Sequence, residues 1–133
     1  MRQISRQEDY GIFLMSKLAE NFGKGSLSLT TVANDSGLSV YFLKQLAIKL
    51  RKAELIKSKE GIGGGYILTK KPKDITLGMI VSAFSGPVEL VECLGKASHK
   101  DCKLHSVCKT RSTLSSINNE IIRHLDSVTL ASL

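Results

Sequence analysis

The most restrictive feature of the chain is one spacing: Leu29-x2-Val32-Ala33-x3-Gly37-x-Ser39-x3-Leu43-x2-Leu46-x3-Leu50. Apolar residues recur at helical steps on both sides of a single glycine, so the pattern demands two short helices meeting at a tight turn. Gly37 permits the left-handed backbone such a turn requires, and small Ala33 lets the helices approach closely. Ser28 or Thr30 can cap the first helix and Ser39 the second, whose inward face is Val40, Leu43, Ala47 and Leu50. That leaves Tyr41, Lys44, Gln45 and Lys49 outward, joined by Ser39 at the helix start.

Leu55-Ile56 can begin a strand, and KSKEGIGGGYILTK then reads as two extended runs joined by a loop holding Gly61, Gly63, Gly64 and Gly65. A hairpin directly after a helix-turn-helix is a winged helix. Upstream, Tyr10 to Phe22 places Ile12, Met15, Leu18, Ala19 and Phe22 on one stripe of a first helix. Downstream, Thr76 to Ser85 reads as an apolar helix closed by Gly86-Pro87. Leu114, Ile117, Ile121, Leu125 and Val128 then form the narrow stripe of a coiled-coil seam. That last helix either packs on its own domain or pairs with a second copy; its place after the core-forming elements favours a homodimer.

The expected fold is therefore mainly α with a small β-hairpin wing: a winged helix-turn-helix over residues 1–85, a cysteine-containing segment over 86–111, and a dimerisation helix and tail over 112–133. With 133 residues, 42% hydrophobic and 23% charged, the chain suits one core and excludes a large multidomain enzyme. Its longest uncharged run, Ile75 to Val88, is too short to span a bilayer, so no membrane partner is expected. MRQISRQEDYGIF carries acids ahead of its apolar run and no small-residue cleavage site, which makes the cytoplasm the expected location.

Charge points to a polyanion. The formal net charge is +7, and the N-terminal half carries most of the excess. Between Lys44 and Lys59 lie six basic residues and one acid, Glu54. Helix, turn, basic run and glycine hairpin in this order describe a reader of double-stranded DNA. Ser39, Tyr41, Lys44, Gln45 and Lys49 would meet base edges and phosphates in a major groove. Lys57 and Lys59 would hold the backbone, and Gly63 and Gly64 at the loop tip would let amides approach a phosphate or the minor groove.

Cys93-x8-Cys102-x5-Cys108 lies among charged and turn-prone residues rather than in an apolar segment. Thiolates are soft ligands, so three of them select zinc, copper(I) or an iron–sulfur cluster. The spacing contains no CxxC pair and no CxxCH haem signature. His99 and His105 lie within the segment, and Asp9 or Glu8 could reach it from another element or from a partner subunit. A thiol enzyme would need a base beside a nucleophilic cysteine; no cleft or redox CxxC supports one.

Taken together, Asp9-Tyr10-Gly11, the helix-turn-helix, the wing Gly61-Ile62-Gly63-Gly64-Gly65-Tyr66-Ile67-Leu68, Ile75-Thr76-Leu77 leading to Ile80-Val81, the three cysteines and Val128-Thr129-Leu130 resemble the Rrf2 family of bacterial transcription regulators. The resemblance covers nearly the whole chain. It implies a dimeric, non-enzymatic winged-helix protein on a palindromic operator, with a 2Fe–2S or 4Fe–4S cluster on Cys93, Cys102 and Cys108 that reports iron–sulfur status, redox state or nitric oxide. Repression of iron–sulfur assembly or stress genes is the implied output. The first cysteine interval is longer than in the IscR-like branch and is similar to that of the branch regulating the SUF assembly operon. Arg111 stands where the IscR-like branch has a ligand histidine. Asp9 matches the partner-subunit aspartate of NsrR-like members and so ranks first as fourth ligand, ahead of His105 and His99. The competing expectation is a winged-helix repressor with zinc or a thiol–disulfide switch and no iron.

Overall fold

A computed structural model describes residues 3–62, 64–94, 102–104 and 106–133. Among these, five α-helices and one antiparallel hairpin make a mainly helical fold. The first helix, α1 (Arg6–Glu20), starts earlier than apolar periodicity indicates because Ser5 and Glu8 close a capping box. Ser5 Oγ accepts from the Glu8 amide at 3.1 Å, and Glu8 Oε2 accepts from the Ser5 amide at 2.6 Å. Glu8 is completely buried. The buried stripe is Gly11, Leu14, Met15 and Leu18; Phe22, expected on it, lies beyond the helix end and is exposed.

Helices α2 (Leu29–Ser36) and α3 (Val40–Lys52) follow the expected pattern. Ser28 caps α2 by accepting from Thr31, and Gly37 stops it at a φ of 78° that costs a glycine little. Ser39 caps α3 by accepting from the Phe42 amide at 3.0 Å. Leu43, Leu46, Ala47 and Leu50 then meet Leu14, Met15 and Leu18 of α1 in the core.

The wing is β1 (Ile56–Lys59) paired with β2 (Gly65–Leu68), with Ile56 opposite Leu68 and Lys59 opposite Gly65. Buried Ile56 and Leu68 root it in the core. Leu27, ahead of α2, adds a third rung by exchanging backbone hydrogen bonds of 3.0 and 2.9 Å with Tyr66. A side chain at Gly65 would lie 2.2 Å from the Leu27 carbonyl oxygen, so this rung requires glycine.

Thr76 caps α4 (Leu77–Ser85), which packs across α1 and α3. The last helix, α5 (Arg111–Ser127), lies on α4, after which the chain returns to the core. Leu130 is buried, and its amide donates to the Ile75 carbonyl at 2.9 Å. Of the seam expected on α5, Leu114, Leu125 and Val128 are half-buried against this domain, whereas Ile117 and Ile121 remain uncovered. No helix among the described residues is long and apolar enough to cross a membrane.

Candidate nucleic-acid interface and cysteine segment

Helix α3 owes its outward face to what its other face buries. With Leu43, Leu46, Ala47 and Leu50 in the core, Tyr41, Lys44, Gln45 and Ile48 stand exposed at steps of three and four. Ser39 is exposed at the helix start. Lys49 departs from the expectation: it is half-buried, and its Nζ donates to Gln7 Oε1 of α1 at 2.7 Å, 6.0 Å from the Phe84 ring centre. Its charge is therefore drawn toward α1 and α4. Lys49, Arg51 and Lys52 occupy the last turn, where cations complement the helix dipole.

On the wing, Lys57 and Lys59 are exposed along β1. Gly64 is half-buried and donates its N–H to the Gly61 carbonyl at 2.9 Å, closing the loop; Gly63 lies outside the described residues. Two exposed isoleucines went unnoticed in the sequence. Ile48 shares the face of Lys44 and Gln45, and Ile62 protrudes at the wing tip. Their positions, three and four residues from polar α3 residues and within a glycine loop that can bury nothing, were the available signal.

The cysteine segment begins on ordered structure. Val88 is buried, and Asn118 of α5 donates to its carbonyl at 2.9 Å while accepting from the Leu90 amide at 2.8 Å. Cys93 then sits half-buried in a 3-10 turn, Glu92–Leu94. Cys102 and Cys108 are exposed, and all three thiols are free. Arg111 opens α5 and reaches back, its guanidinium donating to the Cys93 carbonyl at 3.4 Å. The ends of the segment are thereby tied together. The buried Nε of Arg111 has no hydrogen-bond partner among the described residues.

Cys108 Sγ lies 3.5 Å from the Thr110 hydroxyl. That hydrogen bond, then the Thr110 and Arg111 amides and the Arg111 charge, hold the Cys108 thiol below its ordinary value. Asp9 is exposed in the first turn of α1, bordering a crevice of about 300 Å³ shared with Tyr10, Phe13, Ser36 and Leu38. His99 and His105 lie outside the described residues.

Among the described residues, no three His, Cys, Asp or Glu side chains gather around one metal position. The fit to an iron–sulfur cluster is therefore one of donor chemistry: three free thiols, one of them favouring its thiolate, are soft ligands for iron.

The family model Rrf2, described as an iron-dependent transcriptional regulator, matches residues 4–133. The chain is 41% identical over 92 residues to the HTH-type transcriptional regulator CymR of Bacillus subtilis, covering 69% of this chain and 67% of that protein. It is 34% identical over 124 residues to the HTH-type transcriptional regulator IscR of Aliivibrio salmonicida, covering 93% of this chain and 72% of that one. The solved structure of B. subtilis CymR, described as the global cysteine regulator of that organism, matches with a TM-score of 0.77 at 35% identity, over 99% of this chain and 95% of that chain.

Proposed function

Because the chain belongs to the Rrf2 family of iron-dependent transcriptional regulators, DNA-binding proteins and not enzymes, we propose that it grips a palindromic operator as a cytoplasmic homodimer and that an iron–sulfur cluster on Cys93, Cys102 and Cys108 sets the strength of that grip. One observation carries the reading: Arg111 links the Cys93 backbone to the start of α5, the helix whose Ile117 and Ile121 are uncovered. Whatever orders the cysteines acts directly on the element suited to pairing two subunits.

On DNA, Ser39, Tyr41, Lys44 and Gln45 enter the major groove, where hydroxyl, ammonium and amide groups suit base edges and phosphates. Lys57 and Lys59 steady the wing on the backbone, and Gly63 and Gly64 allow close approach. Lys49 serves the interface by fixing α3 on α1 through Gln7. Paired α5 helices set the separation of the two α3 helices, and hence the half-site spacing.

When bound, the cluster supplies iron chemistry that responds to oxygen, nitric oxide and iron supply. Cys93 would hold it from the α4 side and Cys108 from the α5 side, with Cys102 between them. Asp9, exposed on α1, is the proposed fourth ligand, donated by a partner subunit, with His105 next. Ligation by Cys93 and Cys108 would restrain the chain between α4 and α5, and without it the angle between DNA-binding and pairing elements would be free to change. The output proposed is repression of iron–sulfur assembly or stress genes.

The second reading keeps the DNA interface and replaces iron by zinc or a reversible disulfide. The likeness to a regulator described as governing cysteine favours it, as does the lowered thiol pKa of Cys108. Oxygen-free purification of the full chain, with a visible spectrum and assays of iron, sulfide and zinc, separates the two. Bound iron and sulfide, lost in Cys93→Ala, Cys102→Ala and Cys108→Ala, are expected; a colourless protein with stoichiometric zinc transfers the account to the second reading.

A further inference from the structure

A crevice of about 460 Å³ opens between the C-terminal end of α1 and α2. Its wall is apolar, made by half-buried Phe13 and Leu27 and buried Val32. Its rim carries charges of both signs. Lys17 and Glu20 cancel each other: Lys17 Nζ lies 3.3 Å from Glu20 Oε2 and 5.7 Å from the centre of the Phe13 ring. Lys24 and Asp35, also on the rim, are exposed and form no ion pair among the described residues. Lys24 stands on a fixed turn, since its amide donates to the Asn21 carbonyl at 3.0 Å and Asn21 Nδ2 donates to the Gly25 carbonyl at 3.0 Å. Asp35 lies in the last turn of α2, where the carbonyl ends already make the potential negative and no basic residue offsets it. A carboxylate there weakens the helix unless a cation joins it.

We propose that this crevice binds a free α-amino acid with an apolar side chain: its ammonium group at Asp35 and the carbonyl end of α2, its carboxylate at Lys24, and its side chain against Phe13, Leu27 and Val32. Two fixed charges of opposite sign on one rim select a zwitterion, because a simple anion or cation would leave one of them without a partner. An apolar wall with a few placed polar groups, in a space of this size, is the usual make-up of a small-molecule site. None of the lining residues belongs to α3, the wing or the cysteine segment, so the ligand is separate from DNA and from iron. A bound amino acid would tie the end of α1 to α2, the helix that precedes α3 across Gly37.

The test is isothermal titration calorimetry of the full chain with L-leucine and with L-methionine, in the absence of DNA. Saturable binding of at least one of them is expected. N-acetyl-L-leucine, which lacks the ammonium group, and L-leucinamide, which lacks the carboxylate, should each bind at least about tenfold more weakly than L-leucine, the loss expected when a charged hydrogen bond is removed. Asp35→Asn should lose at least about tenfold in affinity and yet raise the thermal midpoint of the ligand-free chain, because an acid leaves the helix C-terminus; the raised midpoint separates a lost site from a lost fold. Lys24→Met should lose affinity to a similar extent, and Lys24→Arg should keep it. No saturable heat with either amino acid, equal binding of N-acetyl-L-leucine and L-leucine, or Asp35→Asn and Lys24→Met variants that bind as tightly as the parent chain would each overturn the proposal. If the amino acid binds and the chain grips no duplex, the proposed DNA surface falls alone; if a duplex is gripped and neither amino acid binds, only this inference falls.

Discussion

Asn118 holds Val88: its carboxamide donates to the Val88 carbonyl at 2.9 Å and accepts from the Leu90 amide at 2.8 Å. A polar side chain on α5 thus supplies the backbone partners that the chain lacks as it leaves α4. Asn118 is the one buried residue of α5, so the helix is fastened to its domain by hydrogen bonding at its middle. Asn118→Ala removes both bonds and strands a carbonyl and an amide. The expected cost is about 1–3 kcal/mol, read as a lower urea midpoint, with cysteine reactivity at position 93 increased.

Lys44 and Lys49 look equivalent in the sequence, and the structure separates them. Lys44 is exposed, while Lys49 is engaged by Gln7. Lys44→Ala should weaken DNA binding across sequences and reduce the log–log salt slope by about one. Lys49→Ala should leave that slope unchanged, and Gln7→Ala should reproduce whatever affinity Lys49→Ala loses. Titrations of one duplex at several salt concentrations decide this; equal slope changes for both lysines would return Lys49 to the phosphate contacts.

The difference between what was readable and what was not follows from the kind of interaction. Ser28, Gly37, Ser39 and the α3 core face obey local rules, and each stands where spacing and capping chemistry put it. The first helix was read only in part: Met15 and Leu18 lie on its buried stripe as expected, but Gly11 and the acid Glu8, which a search for apolar residues passes over, share that face with Leu14. Asn118 escaped for the same reason. The Leu27–Tyr66 rung joins residues far apart in the chain and leaves no periodic trace. Asp9 and Cys93 stand on separate elements and share no sequence spacing, so the soft-donor character of the cysteines was legible and any assembly of them with Asp9 was not.

Cys108 offers a pH-dependent reading of the cysteine segment. The Thr110 hydroxyl, two backbone amides and the Arg111 charge favour the thiolate, so the Cys108 thiol ionises below its ordinary 9.0. A lowered pKa means that thiolate survives to lower pH, and alkylation at neutral pH is correspondingly faster. With Cys93→Ser and Cys102→Ser leaving one reporter, the iodoacetamide rate should reach half its maximum below pH 9.0. Thr110→Val should move that midpoint upward, and an unmoved midpoint would remove the hydroxyl as its main cause.

Ile117 and Ile121 are exposed one turn apart on α5, beside half-buried Leu114 and Leu125. If a second copy covers them, Ile121→Glu buries a charge at the seam and should convert a dimer into monomers with little change in the fold of each. Sedimentation equilibrium and far-UV circular dichroism measured together give the answer. A monomeric parent chain, or a variant as dimeric as its parent, would place the pairing surface elsewhere.

The most direct test compares one DNA duplex against one protein in two states: the full chain prepared without oxygen and reconstituted with ferrous iron and sulfide, and the same preparation after chelation. The account predicts at least about a tenfold difference in affinity between the two, equivalent to about 1.4 kcal/mol, and no difference for Cys93→Ala. Identical affinities, with iron and sulfide demonstrably bound in the first state, would contradict it.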